Sequence, residues 1–271
     1  MDWSKTQTLF IITFLVLNVF LGYQLIEKKN SSQLDLLKEL SIDEQLAGQE
    51  ITYEPLPKEP KEGTYISGKI KLFTKEDVEK LKNQEVNYDS GALLQGVFKE
   101  PIKLLSLKDD ALITQVVKEN IISGDSYEIW KVDEELGRII LFQHYKNQVI
   151  FNQISSVDGM AMVNQFINLS GVLVLNFNKN HEIVSYQQTL LTDFKEFEKE
   201  EIQTPIKTLG ILLGNGHLKW GSHVSKMEIG YYPLVPLSES QVLTPTWHIV
   251  VDDKKDIYVN AIEGQIIEKT E

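Results

Sequence analysis

A run of nineteen residues without a charge, Thr8 to Ile26, constrains this chain more than any other feature. Coiled as a helix it is about 28 Å long, close to the ~30 Å hydrocarbon core of a bilayer. The run is apolar on every face and sits at the start of the sequence, which suits a membrane span better than a buried core helix. A cleaved signal peptide would carry a shorter apolar stretch and a small-residue cleavage site, whereas Gly22-Tyr23-Gln24-Leu25-Ile26-Glu27 stands here. The expectation is an uncleaved transmembrane signal anchor. Lys5 precedes it and Lys28 and Lys29 follow, a balance that sets neither orientation.

One polar residue interrupts the span. Asn18 lies near its middle, where an unpaired amide in hydrocarbon is costly. Phe14 and Gly22 stand four residues to either side, so Phe14, Asn18 and Gly22 share one helix face. A polar residue beside a small one is the pattern of helix–helix contact in membranes, and this face is the candidate partner-binding site. Its rival is an Asn18 that bonds its own helix backbone.

The rest of the chain is acidic and free of cysteine. Of 27 basic and 39 acidic residues, the first 29 positions hold only Lys5, Lys28, Lys29, Asp2 and Glu27, leaving 24 against 37 beyond the anchor. Such a surface repels a phosphate backbone, which argues against nucleic acid as a partner. Without cysteine there are no disulfides, thiolate metal sites or Cys nucleophiles. A large exported domain without disulfides fits bacteria that lack strong disulfide-forming machinery.

Ser41-Ile42-Asp43-Glu44 fits a capping box that starts a helix ending at Gly48, and Leu34, Leu37, Leu40 and Leu46 give a partial stripe before and within it. Glu54 to Gly63 is proline-rich and charged and reads as an extended tether. Strands are predicted from Tyr65 to Phe73 and from Leu93 to Leu105, where Pro101 argues for a bulge or an edge. Asp109 and Asp110 open a helix with Leu112, Val116, Val117 and Ile121 on one face. A meander of Tyr127–Val132, Arg138–Tyr145 and Gln148–Ile154 follows. The second half repeats the theme, with a hairpin around Asn178–His181, a helix capped by Thr204-Pro205, and closing strands from Met227 onward. The predicted class is α+β: a transmembrane helix, then two related lobes, each a helix plus an antiparallel meander. The predicted divisions are 1–29 for tail and anchor, 30–62 for juxtamembrane helix and tether, 63–154 for the first lobe, and 155–271 for the second, PepSY-like at its end.

Met1-Asp2-Trp3-Ser4-Lys5-Thr6 running into the apolar span resembles the start of the YycI (WalI) family, accessory regulators of the WalK–WalR two-component system. Further blocks are similar to that family's second half: Ser185-Tyr186-Gln187-Gln188-Thr189, Leu209 with Gly216-His217-Leu218, Ile229-Gly230-Tyr231-Tyr232-Pro233, and Pro245-Thr246-Trp247 followed by Tyr258-Val259-Asn260-Ala261. The resemblance implies a single-pass protein of the cell membrane with its N-terminus in the cytoplasm and its C-terminal domain outside. It also implies two partners, the sensor histidine kinase WalK and a YycH-like accessory protein, and a role in cell-wall homeostasis. No catalytic residues, cofactor or metal come with the family.

The residues themselves carry no recognised chemistry. His144, His181, His217, His223 and His248 form no H-E-x-x-H pair and read as turn or sheet-surface histidines. Gly214 to Gly221 follows a predicted helix and lacks the Lys-Ser/Thr ending of a phosphate loop, so its glycines read as a helix end. Asp109-Asp110, Glu134-Glu135 and Asp252-Asp253 fall at helix starts and turns. The expected function is non-enzymatic regulation by contact. An anchored wall-active enzyme or small-ligand-binding module is the alternative.

Overall fold

The computed structural model describes residues 3, 7, 13–24, 40–58, 60–88, 91–152, 171–236 and 240–267. Two compact units divide the chain, Met1–Gln45 and Leu46–Glu271. In the first, residues 13–24 are helical and Phe14, Leu15, Val16, Val19 and Phe20 are exposed. Among the described residues no helix is long and apolar enough to cross a membrane. Residues 8–12, 25 and 26 of the uncharged run lie outside the described residues, as do Leu34 and Leu37 of the leucine stripe.

The capping box forms as its residue types dictate. The Ser41 amide donates to Glu44 Oε2 at 2.8 Å and the Glu44 amide to Ser41 Oγ at 3.3 Å, opening α1 (Ile42–Gly48). Leu46 and Ile51 are buried, and β1 (Thr52–Tyr53) pairs in parallel with β11 (His223–Pro236). The Glu54 amide also donates to the Val224 carbonyl, so the first residues of the proline-rich stretch belong to the folded unit.

Two antiparallel-rich sheets make up the second unit. Sheet I runs β3 (Gln84–Asn87), β4 (Leu94–Lys103), β9 (Glu182–Gln188), β8 (Val172–Phe177), β6 (Arg138–Tyr145) and β5 (Tyr127–Asp133), with β7 (Gln148–Val149) on the end of β6. Sheet II runs β1, β11, β12 (Ser240–Val251), β13 (Lys255–Asn260) and β14 (Ile266–Ile267). The first residues of β12 also pair with β2 (Glu62–Ile70), which carries β10 (Leu191–Glu201) on its other side. Among the described residues the unit also holds α2 (Lys75–Val78), α3 (Asp110–Asn120) and α4 (Pro205–Gly214).

The α+β class and the two antiparallel-rich sheets agree with the sequence reading, but the strands are exchanged between the halves. The hairpin β8–β9 of the second half lies in sheet I between β6 and β4, while β2 of the first half lies in sheet II. Burial supplies the reason. The run Arg138–Gln143 on β6 and Val172–Leu175 on β8 is buried without alternation, so both faces must be covered, and each strand sits in the middle of a sheet. On one face Ile139, Leu141, Leu173 and Leu175 pack with Ile113 and Val117 of α3. On the other, Ile140, Phe142, Val172 and Val174 pack with Trp130 and Val149. Strands β1, β3 and β10 are additions to the predicted set, and β10 is charged and largely exposed, with β2 as its only partner among the described residues.

Candidate functional site

The two sheets meet through a short crossing segment. After β7 the Phe151 amide donates to the Tyr231 carbonyl at 2.7 Å, and Ile150 bridges Tyr231 in parallel. This approach needs Gly230, where any Cβ would collide with the Val149 carbonyl and the Phe151 ring. The block Ile229-Gly230-Tyr231 is therefore the docking point of one sheet on the other.

Beside that point, cross-strand register builds a row on one face of sheet II. Glu228 of β11 pairs with His248 of β12, which pairs with Tyr258 of β13, and Asp256 stands two residues from Tyr258 on the same face. His248 is only 1% exposed. Its Nδ1 lies 3.0 Å from Glu228 Oε1 and its Nε2 lies 2.8 Å from Asp256 Oδ1. With a carboxylate at each nitrogen, both act as N–H donors and the ring is an imidazolium. Burial alone would lower the His248 pKa, but the hydrogen bonds and charges of Asp256 and Glu228 outweigh it and hold the value above its ordinary one. Burial likewise pushes Glu228 up, and its bonds from His248 and Lys226 more than reverse this, leaving it below the usual carboxylate range.

Aromatic rings enclose the imidazolium. The ring centroids of Trp130, Tyr258 and Phe151 lie 4.9, 5.0 and 5.2 Å from that of His248, and Tyr258 is stacked on it. Trp130 is aimed from sheet I by a β-bulge between Ile129 and Lys131 and is stacked on Phe142 at 5.0 Å. The Lys226 ammonium lies 5.6 Å from the centre of the Trp130 ring and 2.7 Å from Glu228 Oε1. Around these groups opens a half-walled cleft of about 370 Å³, with Glu128 and Lys131 of β5 on one side and Asp253 and Lys254 of the β12–β13 turn on the other. Among the described residues no serine, threonine or cysteine lines it. Among the described residues no group of three or more His, Cys, Asp or Glu side chains is placed to hold a metal. What the arrangement offers is a pair of carboxylates held by His248, an aromatic wall and exposed lysines.

Of the residues singled out from sequence, His248 and Asp253 line the cleft; the others have these surroundings. In the helix of residues 13–24, Asn18 Nδ2 donates to the Phe14 carbonyl at 2.9 Å, and a Cβ at Gly22 would meet nothing within 4 Å. His144, His217 and His223 make surface contacts with the Asp125 carbonyl, Lys255 and Thr52, and His181 sits in the β8–β9 turn with φ 58°. Gly216 and Gly221 have φ 72° each, in the turns that follow α4. Asp109 caps α3 by accepting from the Leu112 amide, and Asp252 accepts from the His223 amide.

No curated protein matches the sequence. A crystal structure of an uncharacterized protein from Eubacterium rectale ATCC 33656 is similar over 82% of this chain and 91% of its own, with 11% identity and a TM-score of 0.46. The family model described as YycI protein matches residues 16–262, a span that takes in most of the helical residues 13–24, both sheets except β14, and every residue of the cleft. Its members are membrane-associated accessory regulators in the WalK–WalR pathway and are not known as enzymes. The chain belongs to the YycI family.

Proposed function

We propose that this protein is a single-pass membrane regulator that modulates a WalK-type sensor histidine kinase by contact, together with a YycH-type partner, and so acts on cell-wall homeostasis. Residues 8–26 form the anchor, the N-terminus stays in the cytoplasm, and the acidic domain stands outside. The family match across 16–262 carries this reading, because it runs from within the apolar segment through the domain. The uncharged run of nineteen residues supplies the length a span requires.

Regulation by contact is a coupling free energy: docking favours one conformation of the kinase because the regulator binds that conformation more tightly. The face of Phe14, Asn18 and Gly22 is the proposed membrane contact. Asn18 already has a local acceptor in the Phe14 carbonyl, so in this reading it enters the bilayer satisfied and spends its remaining polar capacity on a neighbouring helix. Interhelical bonds of this kind average ~0.6 kcal/mol, roughly a threefold effect on association.

The double variant Asn18→Leu with Gly22→Leu should reduce recovery of the kinase from native membranes by about threefold or more, since it removes the amide and blocks close approach. Unchanged recovery removes the helix contact from the account. Orientation has a direct test, because the chain contains no cysteine. A cysteine placed at the exposed Glu134 should react with a membrane-impermeant maleimide on intact cells, and one placed at Trp3 should not; the reverse pattern overturns the topology.

A further inference from the structure

We infer that the cleft between the sheets is a binding site for an organic cation, a primary ammonium or guanidinium group, and that Lys226 occupies its seat in the free protein. The inference concerns the exported domain alone and does not depend on any kinase contact.

The seat has three parts. The face of Trp130 forms the floor, over which Lys226 Nζ lies 5.6 Å from the ring centre. The carboxylate of Glu228 forms one wall, 2.7 Å from the same nitrogen. His248 forms the support behind that wall, buried and bonded through Nδ1 to Glu228 Oε1. His248 and Lys226 both bond Glu228 through Oε1, and Glu228 stays 29% exposed at the cleft, so the carboxylate keeps capacity to accept from an incoming donor. A carboxylate held by a buried imidazolium cannot swing away when its lysine leaves, so the seat is preorganised.

Lys226 is a displaceable occupant. Its side chain is 54% exposed, and a lysine on a four-carbon stem gives up little when it moves into water. The cleft of about 370 Å³ falls within the size range of small-ligand pockets. Glu128 and Asp253 add negative charge at the rim, and Lys131 and Lys254 stand where a ligand's own carboxylate would be met. The ligand class is therefore a small amine or guanidine, or a basic side chain of a peptide, entering with its charge towards Trp130. Because Trp130 belongs to sheet I and Glu228 to sheet II, the bound cation would tie one sheet to the other.

The test uses the full chain in detergent micelles and follows indole N–H signals by NMR during titration with agmatine. The Trp130 signal should shift saturably. The variant Lys226→Ala should bind about tenfold more tightly, as expected when a self-occupied seat is vacated. Adding Glu228→Gln to Lys226→Ala should abolish the shift. The Trp247 indole donates to the Gln203 carbonyl at 2.8 Å outside the cleft, so its unchanged signal certifies that each variant is folded. Glutarate and N-butylacetamide should leave Trp130 unmoved. Tighter binding of a Gly-Arg-Gly peptide than of agmatine would assign the natural cation to a polypeptide, and the opposite order to a free amine. No shift with agmatine in the Lys226→Ala protein, or an equal shift with glutarate, overturns the inference.

Discussion

Against α3, sheet I buries Ile139, Leu141, Leu173 and Leu175 with Ile113 and Val117, an apolar layer edged by bonds from Gln84 to the Asn120 carbonyl and from Gln188 to the Ile122 carbonyl. Against sheet II it starts in the same way, with Ile140, Phe142, Val172 and Val174, but the layer then passes through Trp130 and Phe151 to an imidazolium between two carboxylates. The centre of the first contact is held by volume, which is not directional, so it tolerates hydrophobic exchange at constant size. The second is held by directional bonds and by the bare backbone of Gly230, so it fixes one relative placement of the sheets. A protein that must present a defined surface to a partner needs the second kind of contact as well as the first, because volume alone specifies a core less sharply than geometry does.

Gly230→Ala should break that comparison most severely. The added methyl meets a backbone carbonyl and a fully buried ring that cannot yield separately, and the expected loss is roughly 3 kcal/mol or more, seen as a lowered urea midpoint. Cysteines placed across the seam should then become reactive while α3 keeps its protection from hydrogen exchange. Loss of protection at α3 to the same extent would show the two contacts to be one.

Leu173→Ala, on the α3 face, should cost about 3 kcal/mol through the cavity it leaves, and Leu173→Met less than about 1.5. A cost for the methionine as large as for the alanine would mean that this side is as shape-specific as the seam.

A smaller effect than that of either alanine variant belongs to His248→Gln, which keeps a polar side chain but loses the charge, at about 2 kcal/mol near neutral pH. Its signature is the pH dependence. A histidine whose folded pKa is raised gives stability that is complete below its unfolded value of about 6.5 and is lost as pH rises through the folded value. Glu228, held below the carboxylate range, works at the opposite end: its contribution is present above its unfolded value of about 4.3 and is lost as pH falls through the folded one. Unfolding midpoints of the native chain should therefore fall as pH climbs above about 6.5, and those of His248→Gln should not. Parallel profiles would remove the imidazolium from the seam.

Local structure was legible where a short motif decides it. Ser41 with Glu44, Asp109, and Thr204 with Pro205 each mark the start of a helix that forms there, and Pro101 marks the register shift in β4. Arg138–Tyr145 was legible as a strand, yet not its neighbours, since no local rule pairs β8 with β6 or β2 with β12. The site was hidden for the same reason. Lys226 and Glu228 share one strand face, and so do His248 and Val250, which is visible as alternation. That Glu228 stands opposite His248, and that Trp130 arrives from another sheet, are facts of register and docking. Reading His248 as one more surface histidine was sound for the other four and wrong for this one, because a buried imidazolium needs partners that only the fold assembles.

Co-purification of the tagged full-length chain from native membranes, with the recovered proteins identified by mass spectrometry, tests the regulatory account most directly. The account predicts recovery of a sensor histidine kinase together with a YycH-like protein. Reproducible recovery of neither, from membranes that contain both, would contradict it.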